Sequence, residues 1–175
     1  MPPVATPVRP TQDVSRRLST QDVDSDAEAS WVDAAPFRAL LRQLIDDTGL
    51  PAPVLAAAIG LPGRTAWSLV SATRPTRRIR WVDAKALLDR DYAQLRAEAR
   101  TCGDASRLHS LLATTCPDLT AAQLARLLRT DTWTAGGLLD GWLTSCPHEV
   151  IWRALALIEG WTTTSDMLRA DAELG

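Results

Sequence analysis

The chain of 175 residues lacks the signals that mark most functional classes. A single lysine, Lys85, stands against eighteen arginines, and Tyr and Phe occur once each. No run approaches the ~18 consecutive apolar residues of a membrane span, and residues 1–5 lack the charged-then-apolar order of a secretory signal. The chain is therefore expected in the cytoplasm, off the membrane. Three cysteines are an odd number, which does not suit a disulfide framework. Cys102, His109, Cys116, Cys146 and His148 are side chains that zinc prefers, but their spacing matches no paired zinc-ligand pattern, and no metal is expected. Phosphate-cradling glycine loops, HExxH and GxSxG are all missing, and the two histidines have no carboxylate partner in sequence. Neither catalysis nor a cofactor is expected.

What is present is helical. Ala and Leu dominate a chain that is 46% hydrophobic, strand-like alternation is nearly absent, and the apolar residues recur at helical spacing. The expected fold is all-α. The first thirty residues have no such periodicity; they repeat TQDV at 11–14 and 20–23 and bury too little apolar surface to offset chain entropy. They read as a disordered tail. Thr11 and Thr20 would be its phosphoacceptors if the repeat is more than a chance recurrence in a linker.

Residues 52–70, APVLAAAIGLPGRTAWSLV, read as two helices meeting at a tight corner. A small residue at Ala56 lets the second helix cross at close range. Four residues on, Gly60 can take the left-handed conformation that ends a helix. Leu61 then tucks under the turn, and Pro62 is tolerated in the first turn of the next helix. On that helix Ala66, Leu69 and Val70 form one buried stripe, and Gly63, Arg64, Thr65, Trp67, Ser68 and Ser71 the opposite face.

With Leu55, Ala56, Ile59, Gly60, Leu61, Ala66 and Leu69 at these positions, the segment resembles the helix-turn-helix of the lambda-repressor-like (Xre-like) DNA-binding families. The resemblance covers about a tenth of the chain by motif, and roughly 36–90 with flanking helices. It implies that the second helix lies in the major groove, with Arg64, Thr65 and Ser68 as base readers and Arg64 suited to a bidentate contact with guanine. Pro62 and Gly63 stand where that family usually has a Ser or Thr cap. Trp67 is bulky for a groove-facing position and would pack instead on a neighbouring helix.

Charge is distributed unevenly. Residues 1–33 carry three Arg against six acids (−3), 34–102 eleven basic against six acidic residues (+5), and 103–175 five against nine (−4), summing to −2. Between Thr48 and Val82 there is no acid at all, and Arg64, Arg74, Arg77, Arg78 and Arg80 are all there. The run RPTRRIR at 74–80 follows the recognition helix, where a loop would meet the sugar-phosphate backbone. Arg74, Arg77, Arg78 and Arg80 are thus the candidate phosphate contacts; the alternative is a solvated basic loop.

Laid on itself with an offset of 69, the chain matches Leu55-Ala56 to Leu124-Ala125, Ile59 to Leu128, Thr65-Ala66 to Thr134-Ala135 and Leu69-Val70 to Leu138-Leu139. Further on, Trp81 aligns with Trp152 and Ala84 with Ala154. Duplication explains these matches; helical periodicity in an Ala/Leu-rich chain is the alternative. The reading is of two four-helix units joined through one helix at about 82–100. In the copy, Gly60 becomes Arg129, Pro62 becomes Asp131 and Arg64 becomes Trp133. An acid gained and arginines lost make phosphate contact poor there. Trp133 and Trp142, nine apart across a Gly-Gly step, are candidate anchors for a protein partner or a second copy of the chain.

The expected organisation is a disordered acidic tail at 1–33, a basic helix-turn-helix unit at 34–102 and a diverged, acidic, Trp-rich helical unit at 103–175. The expected function is transcription regulation through double-stranded DNA. The competing reading is an adaptor that keeps the helix-turn-helix as scaffold and binds RNA polymerase or another regulator through its tryptophans; it gives no reason for Thr48–Val82 to stay free of acids.

Overall fold

The computed structural model describes residues 30–73 and 75–160. The tail with Thr11 and Thr20, Arg74 and Trp161 lie outside them.

A short strand β1 (Trp31–Asp33) leads into α1 (Ala35–Thr48), α2 (Ala52–Ile59) and α3 (Gly63–Val70), and the chain returns through β2 (Arg78–Arg80) to α4 (Trp81–Leu88) and α5 (Tyr92–Ala99). The order then recurs: β3 (Cys102–Asp104), α6 (Leu108–Thr115), α7 (Ala121–Leu128), α8 (Thr132–Asp140), β4 (Ser145–Pro147) and α9 (His148–Ile158). In each half the two strands pair antiparallel, with Val32 opposite Ile79 and Gly103 opposite Cys146. The fold is mainly α, with these two-stranded ribbons as its β component. Two expectations give way here. Residues 31–33, assigned to the tail, form β1. The helix expected over 82–100 is two helices, because Asp91 takes an extended conformation and accepts the Gln94 N–H at 2.8 Å, capping a new helix at Tyr92.

The corner between α2 and α3 forms as its residues require. Gly60 sits at φ +72°, and the Leu61 N–H reaches back to the Ala56 carbonyl at 2.9 Å, closing the helix end with a six-to-one bond. Ala56, Leu61, Ala66 and Leu69 are buried. At the matching corner, Arg129 adopts φ +52° and Thr130 N–H reaches Ala125 O at 3.0 Å. An arginine has been drawn into glycine's conformation by the same geometry.

After that corner the two halves differ in length. Trp81 and His148 each open the helix that follows a ribbon strand, and Ile79 and Cys146 are the buried middle residues of those strands. The structural partner of Trp81 is therefore His148, at an offset of 67, and not Trp152. From the corner to the strand the second half is two residues shorter: α8 is one residue longer than α3, and the loop after it has four residues against seven.

Two apolar cores result. One gathers Phe37, Leu41, Val54, Leu55, Leu69 and Leu87; the other Leu108, Leu112, Leu124, Leu128 and Leu138. Helix α9 belongs to both. Its Val150, Ile151, Ala154 and Leu157 fill the second core, while Trp152 and Ala156 fill the first, against α2. A helix buried on opposite sides carries little polar surface, and even Arg153 is buried, held by Glu149 at 2.8 and 3.0 Å. The expected boundary at 102/103 falls inside β3, and α9 holds the two halves together.

Candidate nucleic-acid interface

Period-two alternation in the first ribbon decides what it presents. Val32 and Ile79 face the first core, so their neighbours Trp31, Asp33, Arg78 and Arg80 share the outer face. The pairing sets Trp31 beside Arg80 and Asp33 beside Arg78. Helix α3 lies alongside. It opens at Pro62, with the buried Gly63 at its first position and Arg64, exposed, at its second. Gly63, expected on the outer face, instead lies against the core. The loop after α3 is pinned: the Thr76 N–H donates to Ser68 O at 3.2 Å, Arg38 Nη1 to Thr76 O at 2.9 Å and Ala34 N–H to Arg77 O at 3.0 Å.

Helix and ribbon enclose a cleft whose walls include Trp31, Arg64, Thr65, Ser68, Arg78 and Arg80. Five of the seven expected DNA contacts thus line one concave surface. Arg77 is exposed outside its lining, and Arg74 lies outside the described residues. Ser68 Oγ donates to the Thr65 carbonyl at 2.8 Å and keeps its acceptor lone pairs for a ligand. Trp67, expected to pack on a neighbouring helix, is largely open to solvent. It is 57% exposed, one turn along α3 from Arg64.

Sequence reasoning missed two members of the site. Asp83, the first acid after the acid-free stretch, folds back into the cleft, where its side chain is buried. It accepts Arg80 Nε and Nη2 at 3.2 Å each, one on each oxygen, and Thr65 Oγ1 at 3.4 Å. Arg80 is thereby fixed and its charge offset. Trp31, read as tail, is 60% exposed at the cleft. The signal for both was the alternation in WVD and RIR, which three-residue strands display too briefly to stand out. Among the described residues, Arg64, Arg77 and Arg78 form no ion pair.

The equivalent surface in the second half has a different chemistry. Trp133 takes the place of Arg64 and is 66% exposed; its ring lies edge-on to Trp142, centroids 4.6 Å apart at 64°. Gly137 makes room, since a Cβ there would come within 2.8 Å of the Trp142 ring. Asp131 caps α8 by accepting from Thr134 N–H at 2.8 Å and Thr134 Oγ1 at 2.7 Å, and these bonds hold its carboxyl below the usual range.

Cys102 and Cys146 lie on the paired strands of the second ribbon and His148 follows directly, while His109 and Cys116 stand elsewhere on α6 and at its end. Cys102 is exposed, Cys116 half-buried and Cys146 buried, its thiol pushed up to about 11 by burial and, secondarily, by Cys102. His148 Nδ1 donates to the Thr101 carbonyl at 3.0 Å, and His109 Nδ1 to that of Leu139. Among the described residues no three His, Cys, Asp or Glu side chains come together as a metal site, and no helix is long and apolar enough to cross a membrane.

Comparison with protein-family models, with curated proteins and with solved structures finds no match. The reading of the cleft therefore rests on its own chemistry.

Proposed function

We propose that the protein is a cytoplasmic DNA-binding transcription regulator built of two tandem helix-turn-helix-like units, of which the first meets DNA. The observation that carries this is the convergence of Arg64, Thr65 and Ser68 on α3 with Arg78 and Arg80 on β2 around one cleft. In this reading α3 enters the major groove, Arg64 reads a base edge, and Arg77 and Arg78 meet phosphates on either side. Arg80, already paired with Asp83, positions Thr65 and the ribbon more than it neutralises phosphate. The test is selection from a pool of random duplexes at two salt concentrations. An enriched motif, with Arg64→Ala relaxing one position of it by about 1–3 kcal/mol, is the expected result. No binding at low salt would reject the reading.

A second reading is supported by the exposed Trp133–Trp142 pair. In it the second unit anchors a protein, either RNA polymerase, another regulator or a second copy of this chain, and the first unit is scaffold. Paired indoles at a surface are the anchors that interfaces favour. The two readings are compatible if DNA binding and assembly divide between the halves.

A further inference from the structure

The cleft between α3 and the first ribbon holds more than a groove-reading helix needs. A helix that reads base edges in an intact duplex uses hydrogen-bonding side chains on its outer face. It has no use for a concave space of about 490 Å³, a size within the range of about 300–1,000 Å³ typical of small-ligand sites. Nor does it call for an indole in that space, yet Trp31 is held there by strand pairing on both sides of its position: Trp81 N–H donates to Ser30 O at 2.8 Å, and Val32 is opposite Ile79. The ring has been directed outward by the alternation of β1 and left 60% exposed.

The polar groups in the cleft complete the pattern. Asp83 is buried and lines the cleft. A carboxylate offers about four acceptor positions; Arg80 takes one on each oxygen and Thr65 one on Oδ2, which leaves one on Oδ1 for an incoming N–H. Arg64 and Arg78, both free of ion pairs among the described residues, stand on the cleft's walls. A flat aromatic face, a buried acceptor and flanking guanidiniums are what a nucleotide with an unstacked base requires: its ring stacks, its edge donates, and its phosphates are neutralised.

We infer that the cleft takes one unpaired nucleotide of the bound DNA, with the base stacked on Trp31, its N–H edge on Asp83 and the adjoining phosphate on Arg78, Arg64 keeping its contact to a neighbouring base edge. The inference rests on the DNA reading above and specifies the substrate as a duplex that has surrendered a base from its stack. A base already unpaired costs least to seat, so distorted duplexes should be preferred over intact ones.

The test compares two duplexes of one sequence, fully paired or carrying a single extra 2-aminopurine, bound by the full-length protein and by Trp31→Ala and Trp31→Phe. With stacking worth about 1–3 kcal/mol per base, the bulged duplex should bind on the order of ten-fold tighter, with quenching of the 2-aminopurine. The ratio should collapse to about one in Trp31→Ala and largely survive in Trp31→Phe. Equal binding of the two duplexes by the native protein, or a preference that survives Trp31→Ala, overturns the inference and leaves the DNA reading standing. Failure to bind either duplex at low salt overturns both. Free adenosine and guanosine monophosphates form a third arm: saturable, Trp31-dependent binding of these without duplex binding would make the ligand a soluble nucleotide and overturn DNA as its source.

Discussion

Removing Arg77 and Arg78 together should change how DNA binding responds to salt without changing stability. Each phosphate neutralised by a side chain releases counterions, so log K falls with log[salt] at about 0.9 per contact; losing two contacts should flatten the slope by about 1.8. Between 50 and 200 mM salt, a four-fold range, the native protein should lose about twelve-fold more affinity than the Arg77→Ala/Arg78→Ala variant. Both side chains are exposed and make no ion pair among the described residues, so the thermal midpoint should not move. Arg80→Ala is the informative contrast. It strips the bidentate donor from the buried Asp83, a cost of roughly 1–3 kcal/mol for an acceptor left short of partners, while flattening the slope by less than one contact because its charge is already offset. Fluorescence anisotropy titrations at four salt concentrations, with thermal melts of the same preparations, separate the two effects. An unchanged slope in the Arg77/Arg78 variant would refute the placement of this loop on phosphate; an Arg80 variant that changes slope by a full contact with no loss of stability would refute the role given to Asp83.

Two further predictions test the architecture. At the corners, Gly60→Ala should destabilise by about 1–2 kcal/mol and Arg129→Gly should stabilise by up to about 1 kcal/mol, since both positions are left-handed and a Cβ on Gly60 meets nothing, so the cost there is conformational alone; urea midpoints moving in the same direction for both would contradict the equivalence of the corners. Among the thiols, Cys102 should react with a disulfide reagent at pH 8 and Cys146 should stay protected until the chain unfolds. Because the Cys146 thiol titrates near 11 when folded against 9.0 otherwise, the folded form holds its proton longer, and stability present below pH 9 should be lost as pH rises towards 11. Alkaline melts that fall equally in Cys146→Ala would refute that assignment.

The local parts of the fold were legible because their causes are local. The corner at Gly60 depends on residues within six positions of one another, and the same spacing located the similar corner at Arg129, where no glycine stands. Beyond Val70 the alignment of the halves failed, since a helix-and-loop stretch two residues shorter overall leaves helical periodicity free to match Trp81 with the wrong tryptophan. The ribbons were not legible. Three residues show only one alternation, and what fixes Trp31 is Arg80, forty-nine positions away. The burial of α9 on two sides was likewise beyond reach, because a sequence shows that a helix is apolar and not how many cores it serves.

The same distinction between sequence and space bears on affinity. A stretch of 35 residues without an acid suggested a strongly basic surface, but folding brings Asp83 onto Arg80 and sets Asp33 beside Arg78. On the DNA reading proposed above, Arg64 is assigned to a base, which leaves Arg77 and Arg78 as the guanidiniums among the described residues chiefly for phosphate. Two such contacts give a salt slope of only about −1.8, far less than proteins that bind DNA by charge alone. Affinity on this surface must then come from elsewhere. Two sources are proposed above: stacking at Trp31, which would not weaken with salt, and pairing of two chains through Trp133 and Trp142, which would double the phosphate contacts and raise the effective concentration of the second reading helix. Measuring the slope first, and then asking whether it doubles with protein concentration, distinguishes them.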